Sequence, residues 1–84
     1  MDNRDEVVTA LKETLVDRLK VDAATITEDA NLFEDLGLDS IDLMTVVMAV
    51  EEKSSIEVSD EELEDVTTLG QAADLLSAKV GTNA

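Results

Sequence analysis

The sequence has no cysteine, no histidine and no proline, and one phenylalanine is its only aromatic residue. Each absence removes a class of structure or function. Without cysteine there is no disulfide and no thiolate metal site to reinforce the fold. Without histidine the chain lacks the commonest general base, the commonest metal ligand and the usual switch near neutral pH. An enzyme built from it would work with carboxylates, lysine and hydroxyls alone, which argues against self-contained catalysis. No apolar run approaches membrane-spanning length. The start, Met1-Asp2-Asn3-Arg4-Asp5, is polar, and no signal-type apolar stretch follows it. A cytoplasmic protein is the expectation.

What the chain does have is negative charge. Its formal net charge is −15 over 84 residues, with 21 acidic and 6 basic side chains. Such a surface repels nucleic acid and anionic membranes, so neither is expected as a partner. It suits a partner with a basic patch, reached quickly through electrostatic steering. Disorder does not follow from the charge, because 44% of the residues are hydrophobic and they recur at helical spacing. At this length a single domain is expected, spanning 1–84 and ordered over about 2–80, with a modest core. A monomer is expected.

Four helices can be read from periodicity. The first runs from Asp2 or Asn3 to Leu19, with Asn3 and Glu6 at capping-box spacing. Val7, Val8, Leu11, Leu15 and Leu19 form its apolar stripe. Arg4, Lys12, Arg18 and Lys20 put most of the basic residues here, so this helix is not the surface that meets a basic partner. A long connection, Val21 to Asp39, follows. It holds Ile26, Leu32, Phe33, Leu36 and Leu38, too many apolar residues for a free linker, and a loop this long in so small a domain is usually functional. A helical turn is expected near Glu28–Leu32 or Phe33–Leu36. Gly37 reads as the turn residue that admits the chain to the next helix.

The second helix runs from Ser40 to about Lys53 with Asp39 as its N-cap. At about 100° per residue, Leu43, Val46, Val47 and Val50 share one face. Ile41, Met44 and Met48 form a second apolar stripe on the side of Ser40, bordered by Thr45 and Glu52. That stripe is either a wider core face or a surface for partners and cargo. Ile56 and Val58 should tuck into the core. A short third helix, Ser59 to Asp65, opens on a Ser59–Glu62 capping box, with Leu63 and Val66 inward. The fourth, Thr68 to about Val80, opens on Thr68 and Gln71 and buries Leu69, Ala72, Ala73, Leu76 and Val80. Gly81 reads as its stop, with Thr82 to Ala84 frayed. The fold class is therefore all-α: a four-helix bundle with a short third helix and a long loop between the first two.

One place stands out chemically. Ser40 lies at the first turn of a helix after Gly37-Leu38-Asp39, where a helix N-terminus favours an attached or approaching phosphate. No histidine is present to activate the hydroxyl, so Ser40 is a better substrate for another enzyme than a nucleophile of its own. Taken by themselves, Asp39 and Ser40 read as a helix cap. Around them, from Asp35 to Asp65, carboxylates recur (Asp42, Glu51, Glu52, Glu57, Asp60, Glu61, Glu62 and Glu64 among them) with Lys53 as the sole base. This is either a solvated acidic face or a docking surface around Ser40.

The stretch Asn31-Leu32-Phe33-Glu34-Asp35-Leu36-Gly37-Leu38-Asp39-Ser40-Ile41-Asp42 resembles the phosphopantetheine attachment site of acyl carrier proteins. The resemblance continues through Val47-Met48-Ala49-Val50-Glu51-Glu52, Glu57-Val58-Ser59-Asp60-Glu61-Glu62-Leu63 and Val66-Thr67-Thr68-Leu69, and covers essentially the whole chain. It implies that a phosphopantetheinyl transferase uses coenzyme A and magnesium to place a 4'-phosphopantetheine arm on Ser40. The arm's thiol would then hold acyl intermediates as thioesters, with no catalytic or metal-binding residue in the carrier. It implies further that Asp39 assists transferase recognition. Ile41, Asp42, Met44, Met48, Glu51 and Glu52 would dock on acyltransferase, ketosynthase or other acyl-processing enzymes with basic patches. Thr45 stands where fatty-acid carriers commonly have glutamate, and Leu43, Ser54 and Ser59 also depart from the pattern. These departures favour a stand-alone carrier of polyketide or other secondary metabolism over fatty-acid synthesis. The competing readings are an acidic helical adaptor without an arm, a calcium-binding domain, and a phosphorylation switch at Ser40. The calcium reading fails because Phe33 breaks the ligand alternation begun by Asp29 and Asn31.

Overall fold

The computed structural model describes residues 3–54 and 56–82. Four α-helices follow one another: α1 (Asn3–Leu19), α2 (Ser40–Ser54), α3 (Asp60–Leu63) and α4 (Leu69–Thr82). Among the described residues there is no strand, only an isolated antiparallel bridge between Asn31 and Thr68. The expected all-α bundle with a short third helix and a long first loop is the fold observed. The Asn3 cap, the Val80 side chain, and Asn83 and Ala84 lie outside what is described.

The core is built from the stripes that periodicity marks. Val7, Leu11 and Leu15 of α1 meet Leu43, Val46, Val47 and Val50 of α2 and Leu69, Ala72, Ala73 and Leu76 of α4. Leu15, Val50, Leu69, Ala73 and Leu76 are wholly removed from water. Thr14, buried on the same face of α1, satisfies its hydroxyl by donating to the Ala10 carbonyl at 2.9 Å, the back-bond open to a threonine inside a helix. Helix α1 ends where Lys20 takes a left-handed conformation, φ 59°. The Val21 amide then reaches back to the Leu15 carbonyl at 3.0 Å, which folds the chain back over the last turn of the helix.

The long connection is a packed layer. Ile26, Ala30, Leu32 and Leu38 are buried, and Phe33 and Leu36 are half-buried against the same core. Its one helical turn lies at Ala23–Thr25, capped by the Asp22 side chain, earlier than either place the sequence suggested; residues 28–29 and 32–35 form hydrogen-bonded turns instead. Asn31 caps the second of these turns: its side chain accepts from the amides of Phe33 and Glu34, both at 2.9 Å, and its carbonyl accepts from the Asp35 amide at 2.9 Å, one helical turn that is not continued. The loop is also stitched to the start of α4 by Leu32 N to Thr67 O at 2.8 Å, Leu69 N to Ala30 O at 3.2 Å and Gly70 N to Glu28 O at 2.9 Å.

Two helix ends differ from expectation. Helix α3 stops at Leu63, so Glu64 and Asp65 lie in a turn. Helix α4 continues through Gly81 to Thr82; a glycine ends a helix by taking positive φ, and among the described glycines it is Gly37, in the loop before α2, that takes one, φ 73°. Two of the three expected capping boxes, those at α3 and α4, are present. Ser59 and Glu62 bond reciprocally at α3, and Thr68 and Gln71 do so at α4.

Candidate functional site

The start of α2 is fixed by an exchange of bonds. The Asp39 carboxylate accepts from the Asp42 amide at 2.8 Å, and the Asp42 carboxylate accepts from the Asp39 amide at 3.3 Å. The Leu43 amide bonds the Asp39 carbonyl at 3.0 Å. Asp39 is thus the N-cap, as expected, and Asp42 plays the part that glutamate has in a capping box. Ser40 is the first helical residue and is exposed, and no hydrogen bond among the described residues occupies its hydroxyl. The turn before it is set by Gly37, whose missing Cβ matters for backbone conformation alone, since a Cβ there would touch nothing within 4 Å.

Beside Ser40 opens a cleft of about 420 Å³ between the long loop, α2 and α3. Its apolar lining is Phe33, Leu43, Met44, Leu63 and Val66, and Asp60, Glu64 and Thr67 complete it. The sequence placed Leu43, Leu63 and Val66 in the core and Phe33 in the loop without joining them to Ser40. The Leu32–Thr67 bond that brings Phe33 beside Val66 is long-range and leaves no local pattern to read.

The second apolar stripe of α2 faces solvent. Ile41, Met44 and Met48 are 73%, 41% and 56% exposed, while Leu43, Val46, Val47 and Val50 are buried. The stripe is therefore a surface and not a wider core face. Helical geometry sets Glu51 and Glu52 on the same side, about 16 Å along the axis from Ser40; Glu52 is exposed and Glu51 half-buried. Asp42 stands apart. It is half-buried, about 100° around the helix from Ile41, with its carboxylate engaged at the cap. Thr45 turns its hydroxyl onto the Ile41 carbonyl at 3.0 Å.

Among the described residues, three of the six basic side chains, Arg4, Lys53 and Lys79, form ion pairs. Arg4 of α1 bridges Glu28 in the loop and Asp74 of α4, the latter at 2.7 Å. The Arg4 hydrogen bond holds the Glu28 carboxyl below its ordinary range and raises Arg4 in turn. Lys79 of α4 pairs with Glu62 of α3 at 2.5 Å and lowers its pKa, helped by the Ser59 amide. Lys53 lies 3.6 Å from Glu13. No cluster of metal-ligating side chains forms among the described residues, and no helix there is long and apolar enough to cross a membrane.

The fold thus brings together an exposed serine at a helix start, an apolar cleft at its side and an exposed apolar-acidic helix face. Comparison with known proteins gives the family. Residues 9–76 match the family described as Phosphopantetheine attachment site. An acyl carrier protein of Picosynechococcus sp. is 37% identical over 78 residues, spanning 93% of this chain and 96% of its own. One of Guillardia theta is 40% identical over the same spans. The crystal structure of an acyl carrier protein from Thermotoga maritima shares the fold with a TM-score of 0.85 over 98% of this chain and 95% of its own, at 24% identity. The acyl carrier protein of Enterococcus faecalis aligns with a TM-score of 0.73 at 30% identity, over 90% and 96% of the two chains. The chain belongs to the acyl carrier protein family: it is a carrier and not a catalyst, and its prosthetic group is 4'-phosphopantetheine. Membership implies activation by a phosphopantetheinyl transferase and acyl-processing enzymes as partners.

Proposed function

We propose that Ser40 is the residue that carries the phosphopantetheine arm, within a single carrier domain spanning 1–84. One observation carries this reading: Ser40 pairs an exposed, unengaged hydroxyl with the N-terminal turn of α2, beside the apolar cleft. The residues present fit the group. The helix N-terminus favours a phosphodiester, and the reciprocal Asp39–Asp42 cap holds the serine in one orientation. When attached, the arm supplies a thiol that holds an acyl group as a thioester.

Ile41, Met44 and Met48 supply an adaptable apolar contact for successive partners, and Asp39, Glu51 and Glu52 supply charge that meets arginine and lysine on a transferase, acyltransferase or ketosynthase. Thr45 leaves the middle of this face without a carboxylate, which supports polyketide or other secondary metabolism over fatty-acid synthesis. A monomer in the cytoplasm fits a carrier that visits several enzymes in turn.

Incubation with coenzyme A, magnesium and a broad-specificity phosphopantetheinyl transferase, followed by fragmentation mass spectrometry, tests the assignment. The added group is expected on the peptide containing Ser40. Its appearance on Ser59, Ser77 or a threonine would overturn it.

A further inference from the structure

We infer that the Lys79–Glu62 ion pair is a latch that holds α3 in place as one wall of the cleft beside Ser40. Helix α3 has four residues, a single turn and far too short to persist by its own hydrogen bonds. Leu63 and Val66 anchor it apolarly, yet Asp60, Leu63 and Glu64, on or just after it, all line the cleft. What ties the turn to a long helix is Glu62. Its carboxylate accepts from the Ser59 amide at 3.1 Å, closing the capping box, and from the Lys79 ammonium of α4. One side chain therefore both starts α3 and fastens it to α4. Both partners are about one-third exposed, so the fastening is reversible and is weakened by salt. Releasing it frees the α3 wall while α1, α2 and α4 stay packed through their own core contacts. The wall's importance for cargo rests on the Ser40 assignment, but the latch itself can be read in the unmodified chain.

The test is amide hydrogen exchange of Lys79→Met, with Lys12→Met on α1 as a control that makes the same change in net charge. Glu62, Glu64 and Val66 donate the amide bonds of the α3 turn and serve as reporters. In Lys79→Met their exchange is expected to rise by about three- to fivefold, with the amides of Val46 to Val50 unchanged. Lys79→Arg should restore the wild-type rates, and raising sodium chloride to about 0.5 M should shrink the difference between wild type and Lys79→Met. Unchanged α3 amides would overturn the latch. So would an equal rise across α2, or an equal effect of Lys12→Met, because either would mean that Lys79 acts on global stability. Neither result bears on whether Ser40 is modified.

Discussion

The Asp39 carboxylate accepts the Asp42 amide at 2.8 Å, so the residue that precedes Ser40 is a structural cap before it is anything else. The proposed recognition charge would fall on the same side chain as the cap. Asn and Ala substitutions separate them. Asp39→Asn keeps an oxygen for the cap and should hold stability to within about 0.5 kcal/mol, whereas Asp39→Ala should lose about 1 kcal/mol. If the charge serves the transferase, modification slows in both. Denaturant melts paired with modification rates check this; a normal rate in Asp39→Asn would assign Asp39 to the cap alone.

The buried core and the exposed face of α2 should respond in opposite ways. Val50 and Leu76 are wholly buried and Met48 is 56% exposed. Leu76→Ala is expected to cost about 2–5 kcal/mol, a large share of the stability of a domain this small. Met48→Ala should change stability by less than about 0.5 kcal/mol while slowing acyl transfer by partner enzymes.

On the proposed docking face, Glu51 and Glu52 would carry the electrostatic part. Reversing both to lysine should slow transfer at low salt and leave the circular dichroism spectrum unchanged. The effect should fade as ionic strength rises and screening removes the steering. Equal transfer rates at low salt would remove these residues from the docking surface.

The pH dependence follows from Glu28 and Glu62. Both carboxyls sit below the ordinary value in the folded chain, held there chiefly by Arg4 and Lys79. A depressed folded pKa contributes stability that is fully present above the unfolded value, about 4.3 for glutamate, and is lost as pH falls through the folded one. The melting difference between wild type and Glu62→Gln should therefore be constant from neutral pH to about pH 5 and close in stronger acid. A difference that persisted unchanged below both values would contradict the ionic origin. Salt acts differently on the whole chain: with a net charge of −15, self-repulsion should make the melting temperature rise with ionic strength.

The helices were legible because each buries one stripe, and Leu11, Leu15, Leu69 and Leu76 announce theirs by spacing alone. The status of Ile41, Met44 and Met48 was not, since periodicity gives an apolar stripe but not which stripe a neighbour covers. In the fold, α1 packs across the Leu43–Val50 face and leaves the other open. The cap at Asp39 and the boxes at Ser59 and Thr68 are local and could be read directly. The loop could not: its single turns are too short to show a period, and the Leu32–Thr67 and Gly70–Glu28 bonds join segments far apart in sequence. The cleft beside Ser40 depends on those long-range bonds, so the serine was visible and its apolar neighbour Phe33 was not.

The account turns on one hydroxyl. Intact mass of wild type and Ser40→Ala, before and after treatment with coenzyme A, magnesium and a phosphopantetheinyl transferase, tests it most directly. The account predicts a single phosphopantetheine added to wild type and none to folded Ser40→Ala. Addition to Ser40→Ala, or none to folded and previously unmodified wild type, would contradict it.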